Sequence, residues 1–206
     1  MAFNPKDHYF RKAKQDNFVA RSVYKLEEID SKFKLVKSGM KILDLGASPG
    51  SWTQYALSKI GSEGIVCAVD LQDLKVRDPR LEFLQGDAFQ QDVIGDLLRR
   101  RLPGKSLDLV LSDMAPKTTG IKVTDQARSL DLCLRALEVA EAFLKPQGHL
   151  VVKFFHSDDF QVLKKRILQS FEKFEAIRPD STRSMSKEIF LVGLRKKLST
   201  LASKGL

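Results

Sequence analysis

The stretch Lys41–Gly50, KILDLGASPG, decides the fold. A short apolar run reaches Asp44 and Gly46, and a second glycine follows at Gly50. The next residues, SWTQYALSKIG, space their apolar side chains as a helix does, and Gly61 closes it. The reading is strand, glycine turn, helix. In an open parallel sheet such a turn lies at the carboxyl end of a strand, where ligands bind. Glycine lets a ligand approach the backbone, and the start of a helix favours a carboxylate. Ser48 occupies the second glycine position of G-x-G-x-x-G. That departure counts against a dinucleotide pyrophosphate. It suits a bulkier zwitterion, such as the methionyl end of S-adenosylmethionine.

Working outward, the same alternation repeats. GIVCAVDL, LEFLQGD, LDLVLSD and HLVVKFF read as further strands. Helical spacing covers Ala20–Phe33, Phe89–Leu102, Thr124–Leu144 and Phe160–Phe171, with Gly39, Pro103-Gly104 and Pro146 as breakers. The strands are continuous apolar runs rather than alternating ones, which marks a parallel sheet covered on both faces. FEKFEAIRP and EIFLVGLR have no helix between them, so they are expected to pair antiparallel. The expected fold is α/β: a doubly wound, mostly parallel, Rossmann-like sheet of about seven strands with an N-terminal helical extension. Residues 1–206 read as one domain, with a basic extension over 1–40, a core over 41–195 and a basic tail over 196–206.

Four consecutive strands end in Asp44, Asp70, Asp87 and Asp113. Turn or cap chemistry explains one such residue more readily than the set. Asp70 lies 24 residues after Gly46, where an acid commonly accepts ribose hydroxyls. Asp87 is placed to take an adenine amino group. Trp52, just past Gly50, either covers a cofactor or packs in the core. Lys153 sits inside the apolar strand VVKFF, where an ammonium is costly unless it is paired or neutral. It lies near the expected end of the strand beside Asp113. Lys25 is on the apolar-striped N-terminal helix, and Glu188 opens the last strand.

Charge is unevenly spread. Residues 1–40 carry nine Lys and Arg against five Asp and Glu, and residues 173–206 carry eight against three, while 41–172 is balanced. If the fold brings the ends together, they make one basic face suited to a polyanion. Cys67 and Cys133 sit in apolar stretches and read as buried free thiols. The three histidines match no zinc spacing, so no metal site is expected. No run approaches the length of a membrane span, and the charged first residues lack a signal-peptide core, so the expected location is cytoplasmic.

Taken together, RSVYKL (Arg21–Leu26), DLGASPGSW (Asp44–Trp52), Asp70-Leu71, QGD at Asp87, LSDMAP (Leu111–Pro116), VVKFF (Val151–Phe155) and RPDSTRSMSKE (Arg178–Glu188) are specific. The chain resembles the FtsJ-like ribose 2′-O-methyltransferases, closely the bacterial members that methylate large-subunit ribosomal RNA. The resemblance implies a Lys-Asp-Lys-Glu tetrad at Lys25, Asp113, Lys153 and Glu188. It implies S-adenosyl-L-methionine as cofactor, held at Gly50, Trp52, Asp70, Asp87 and Asp113. The implied partner is ribosomal RNA within the large subunit or its precursor, the implied target a uridine ribose, and the implied state a monomer. Ser51 and Lys117 depart from the family pattern, but neither touches the tetrad. The same chemistry on transfer RNA, and a catalytically silent RNA-binding assembly factor, are the alternatives. Lys153 is the expected base. Burial and the Lys25 cation favour its neutral form, whereas Asp113 and Glu188 favour the ammonium. Sequence does not fix the balance.

Overall fold

A computed structural model describes residues 8–90, 92–104 and 106–198. The chain runs α1 (His8–Gln15), α2 (Val23–Phe33), β1 (Lys41–Leu45), α3 (Ser51–Lys59), β2 (Ile65–Asp70), β3 (Leu81–Gln85) and α4 (Val93–Arg101). It continues β4 (Leu107–Ser112), α5 (Lys122–Phe143), β5 (Leu144–Phe155), α6 (Phe160–Ser170), β6 (Phe171–Ile177) and β7 (Glu188–Lys196). The strands form one seven-stranded sheet in the order β3-β2-β1-β4-β5-β7-β6. The first five are parallel, and β7 runs antiparallel to both β5 and β6. Strand order reverses between β1 and β4, which opens a crevice at their carboxyl ends.

The near-continuous apolar runs are buried on both sides. Ile42, Val66, Leu109, Val151 and Val192 face α2 and α3, with α1 beyond them. Leu43, Cys67, Val110, Val152 and Leu191 face α4, α5 and α6. Cys67 and Cys133 are buried free thiols, and burial pushes each up to about 12. Among the described residues no helix is long and apolar enough to cross a membrane, and no cluster of three potential metal ligands occurs.

The local differences from expectation have causes. The helix read from Phe89 starts at Val93. Asp87 first makes a turn, its Oδ1 accepting the Phe89 N–H at 2.9 Å and its carbonyl the Gln90 N–H at 3.0 Å. The strand read from His149 reaches back to Leu144, through a register shift with Gln147 at φ 66°. The first helix, α1, has no counterpart among the helices expected from spacing.

Among the described residues the two basic ends share a face in part: Arg178 of the second lines one surface pocket with Lys12 and Lys32 of the first, whereas Arg195, Lys196 and Lys197 lie elsewhere. Lys12 lies 4.4 Å from the Tyr24 ring centroid at the start of α2, towards the carboxyl edge of the sheet. Lys196 pairs with Phe171 at the opposite, amino edge. There the Lys196 ammonium caps α5, donating to the Glu141 carbonyl and, at 2.8 Å, to that of Leu144. Lys197 donates to the Leu168 carbonyl near the end of α6 at 2.6 Å, and Arg195 meets Glu172 at 2.7 Å. Helix C-termini attract cations, so the described part of the tail is spent on structure. Residues 199–206 lie outside the described residues.

Candidate active site

The crevice holds a cavity of about 330 Å³, with Gly46, Ser48, Asp70, Asp87, Asp113 and Met114 on its walls. Two glycines shape it. Gly46 has φ +73°, and a Cβ there would lie 2.7 Å from the Met114 side chain and 2.8 Å from its backbone. Gly50 has φ +117°, and its Cβ would meet Val76 at 2.5 Å. Both therefore admit other parts of the chain as well as a turn that other residues would strain.

Asp70 is held rigid. Its Oδ2 accepts the Ser48 N–H at 2.9 Å and its Oδ1 the Gln72 N–H at 2.8 Å. A carboxylate has further lone pairs, so Asp70 and Asp87 each retain acceptor capacity towards the cavity. Two expected cofactor residues stand off the cavity wall. Trp52 is 2% exposed, its indole N–H donating to the Ser22 carbonyl at 2.9 Å and its ring 5.5 Å from that of Phe190. Gly50 is the N-cap of α3. Both can serve a ligand through main-chain N–H groups of the helix start, which have no partner within the helix. Asp44 lies beneath the loop, fully buried, with Oδ2 accepting the Thr53 hydroxyl at 2.6 Å.

Lys25, Asp113, Lys153 and Glu188 form two ion pairs. The Lys153 ammonium, 8% exposed, donates to the Asp113 carbonyl at 2.5 Å and lies 2.9 Å from Asp113 Oδ1. That oxygen is buried and lacks a donor in hydrogen-bond geometry. Lys25 pairs with Glu188, its ammonium 5.9 Å from the Phe190 ring centroid. In the β5–β7 register Lys153 stands opposite Phe190 and Phe155 opposite Glu188. Strand side chains two apart share a face, so Lys153 and Glu188 project towards the α2 side together.

Sequence reading missed what fixes Glu188. Glu28 takes the Asp180 N–H at 2.5 Å and the Ser181 N–H at 3.0 Å, and Arg21 donates to the Ser181 carbonyl at 2.5 Å. These clamp the β6–β7 connection to α2. The signal was present: Arg21, Lys25 and Glu28 recur at helical spacing on one face.

A crevice at a strand-order reversal, lined by strand-end carboxylates and flanked by two lysine–carboxylate pairs, is the arrangement of a particular enzyme class. The chain belongs to the FtsJ-like methyltransferases, whose family profile matches residues 18–196. It is 56% identical over 197 residues to the ribosomal RNA large subunit methyltransferase E of Bdellovibrio bacteriovorus, covering 96% of this chain and 100% of that one. The protein of the same name from Syntrophobacter fumaroxidans is 44% identical over 200 residues, covering 97% and 100%. Among solved structures, a protein described as a ribosomal RNA methyltransferase from Plasmodium falciparum superposes with a TM-score of 0.79 at 27% identity, covering 87% of this chain and 98% of that one. Fibrillarin from Aeropyrum pernix, solved with S-adenosyl-L-methionine, gives 0.58 at 15% identity over 84% and 76%, a likeness of fold alone.

Proposed function

We propose that this methyltransferase moves the methyl group of S-adenosyl-L-methionine to a ribose 2′-hydroxyl, that of a uridine in large-subunit (23S) ribosomal RNA. It acts as a cytoplasmic, monomeric, single-domain enzyme on the large subunit or its precursor. The observation that carries the reading is the gathering of Lys25, Asp113, Lys153 and Glu188 beside a carboxylate-lined cavity. The donor set fits the cofactor. Asp70 accepts its ribose hydroxyls, Asp87 its adenine amino group, and the Gly50–Trp52 helix start its carboxylate. Asp113, a carboxylate on the cavity wall, suits the cationic end.

When bound, the cofactor supplies an electrophilic methyl on a sulfonium. The chain must position the hydroxyl in line with it and remove a proton. Lys153 takes that proton. The Asp113 carbonyl and carboxylate fix the direction of its Nζ. Lys25 and Glu188 hold the ribose and balance the charge. The 2′-hydroxyl restricts the substrate to RNA.

Incubation with radiolabelled cofactor and large-subunit particles, or transfer RNA, tests the proposal. Label on the ribosomal RNA alone is expected. Label on transfer RNA alone replaces the substrate, and no label in either leaves a silent assembly factor.

A further inference from the structure

Asp44 is the strand-end carboxyl that the chemistry above does not use. It is 0% exposed, at the end of β1 beneath the glycine turn. Thr53 of α3, itself 0% exposed, donates to Oδ2 at 2.6 Å. Oδ1 has no donor. The charged groups that act on it are Asp113 from β4 and Asp70 from β2, both anions. The nearby cation on β5, Lys153, is committed to Asp113. Asp44 and Asp113 lie two positions apart in the β1–β4 register, because Asp44 stands opposite Leu111. Both therefore project to the same face.

Such a carboxyl resists ionisation until positive charge arrives beside it. Burial, and then its two acidic neighbours, push Asp44 up to about 7, against the hydroxyl and backbone hydrogen bonds of Thr53. The two forms of the cofactor differ in just this respect. The methyl donor carries a sulfonium cation, and the spent product carries a neutral thioether at the same atom.

We infer that Asp44 makes the pocket read the charge on the cofactor sulfur, ionising when the sulfonium form docks and remaining protonated with the thioether product. On docking, the Asp44 O–H bond breaks, its proton passes to solvent buffer and the carboxylate stays. After methyl transfer the sulfur is neutral, and Asp44 recovers a proton from solvent. The spent cofactor is thereby held more weakly than the donor. This inference rests on the cofactor reading above and deepens it.

Titration calorimetry near pH 7, repeated in buffers of different ionisation heat, counts the protons released on binding. The ligands are S-adenosyl-L-methionine and S-adenosyl-L-homocysteine, with no RNA present. Wild type is expected to release protons with the donor, and fewer with the product. Asp44→Asn is expected to abolish that difference and to narrow the affinity ratio of the two ligands several-fold. Thr53→Val removes the hydroxyl donor to Asp44, so proton release with the donor should grow. Equal release with both ligands in wild type overturns the inference, as does an unchanged difference in Asp44→Asn. If Asp44→Asn does not fold, an unchanged count in Thr53→Val overturns it instead. Failure of both ligands to bind wild type overturns the cofactor reading, and the inference with it.

Discussion

The two edges of the sheet handle polar groups in opposite ways. At the amino edge, charges are paired or capped. Asp108 takes the Lys41 N–H at 2.7 Å and pairs with Lys145, Arg195 meets Glu172, and His149 Nδ1 accepts the Arg195 N–H at 3.1 Å. Lys196 and Lys197 cap helices α5 and α6. At the carboxyl edge, polar capacity is left open. Of six buried side-chain atoms without a hydrogen-bond partner among the described residues, five belong there: Asp44 Oδ1, Ser112 Oγ, Asp113 Oδ1, Ser181 Oγ and Thr182 Oγ1. Native proteins seldom tolerate such atoms without a reason. One edge holds the fold, and the other keeps binding capacity at some cost to it.

The contrast can be broken most sharply at Lys153. Lys153→Arg keeps the charge but cannot supply a free electron pair, because arginine stays protonated. Single-turnover methyl transfer should fall by at least about 100-fold, no less than in Lys153→Ala, with cofactor binding retained. A near-normal rate for Lys153→Arg removes the base assignment. Next in size, Asp70→Ala and Asp87→Ala should each weaken cofactor binding by about 1–3 kcal/mol, the loss of a buried hydrogen bond. Unchanged affinity in calorimetry takes both out of the pocket.

A smaller effect separates Lys12 and Lys14 from Lys196 of the tail. Lys196→Met should lower stability by about 1 kcal/mol through removal of the cap on α5, leaving the salt dependence of RNA binding intact. Lys12→Gln with Lys14→Gln should instead flatten that dependence, by about 0.7–0.9 in slope for each phosphate no longer neutralised. If Lys196→Met flattens the slope too, the tail meets RNA after all.

The smallest effect is a pH shift at the amino edge. Burial first, then Lys37 and Arg195, hold His149 below the ordinary histidine value. The folded state therefore binds fewer protons here than the unfolded one. The stability it contributes is complete above about pH 6.5 and is lost as pH falls from there through the depressed folded value. His149→Gln keeps an acceptor for Arg195 and cannot charge. Its melting temperature should fall less than that of wild type between about pH 7 and pH 5. Parallel curves would show that His149 does not sense acid.

How legible these features were depended on the range of their causes. The strand ends at Asp44, Asp70, Asp87 and Asp113 could be read because apolar runs stop where a parallel sheet meets solvent. The antiparallel pairing of β6 and β7 followed from the missing helix between them. The insertion of β7 between β5 and β6 has no sequence signal, because it depends on where the Arg178–Lys187 connection lands. The tail lysines looked like a polyanion surface because sequence shows their charge and hides the helix ends they reach. Trp52 could be read either as cofactor cover or as core, and only its contact with Ser22 and Phe190 places it. The Glu28 clamp spans 152 positions, beyond any local pattern.

The place of β7 also bears on how the molecule is made. Translation delivers Lys25 early and its partner Glu188 near the end of the described chain, and β7 is also the strand that joins β6 to the rest. A nascent chain released before β7 emerges would expose the flank of β5 and carry only half of the tetrad's pairs. Long-range pairing of this kind is slow to form. Completion of the sheet and closure of the Lys25–Glu188 pair therefore coincide in one late event.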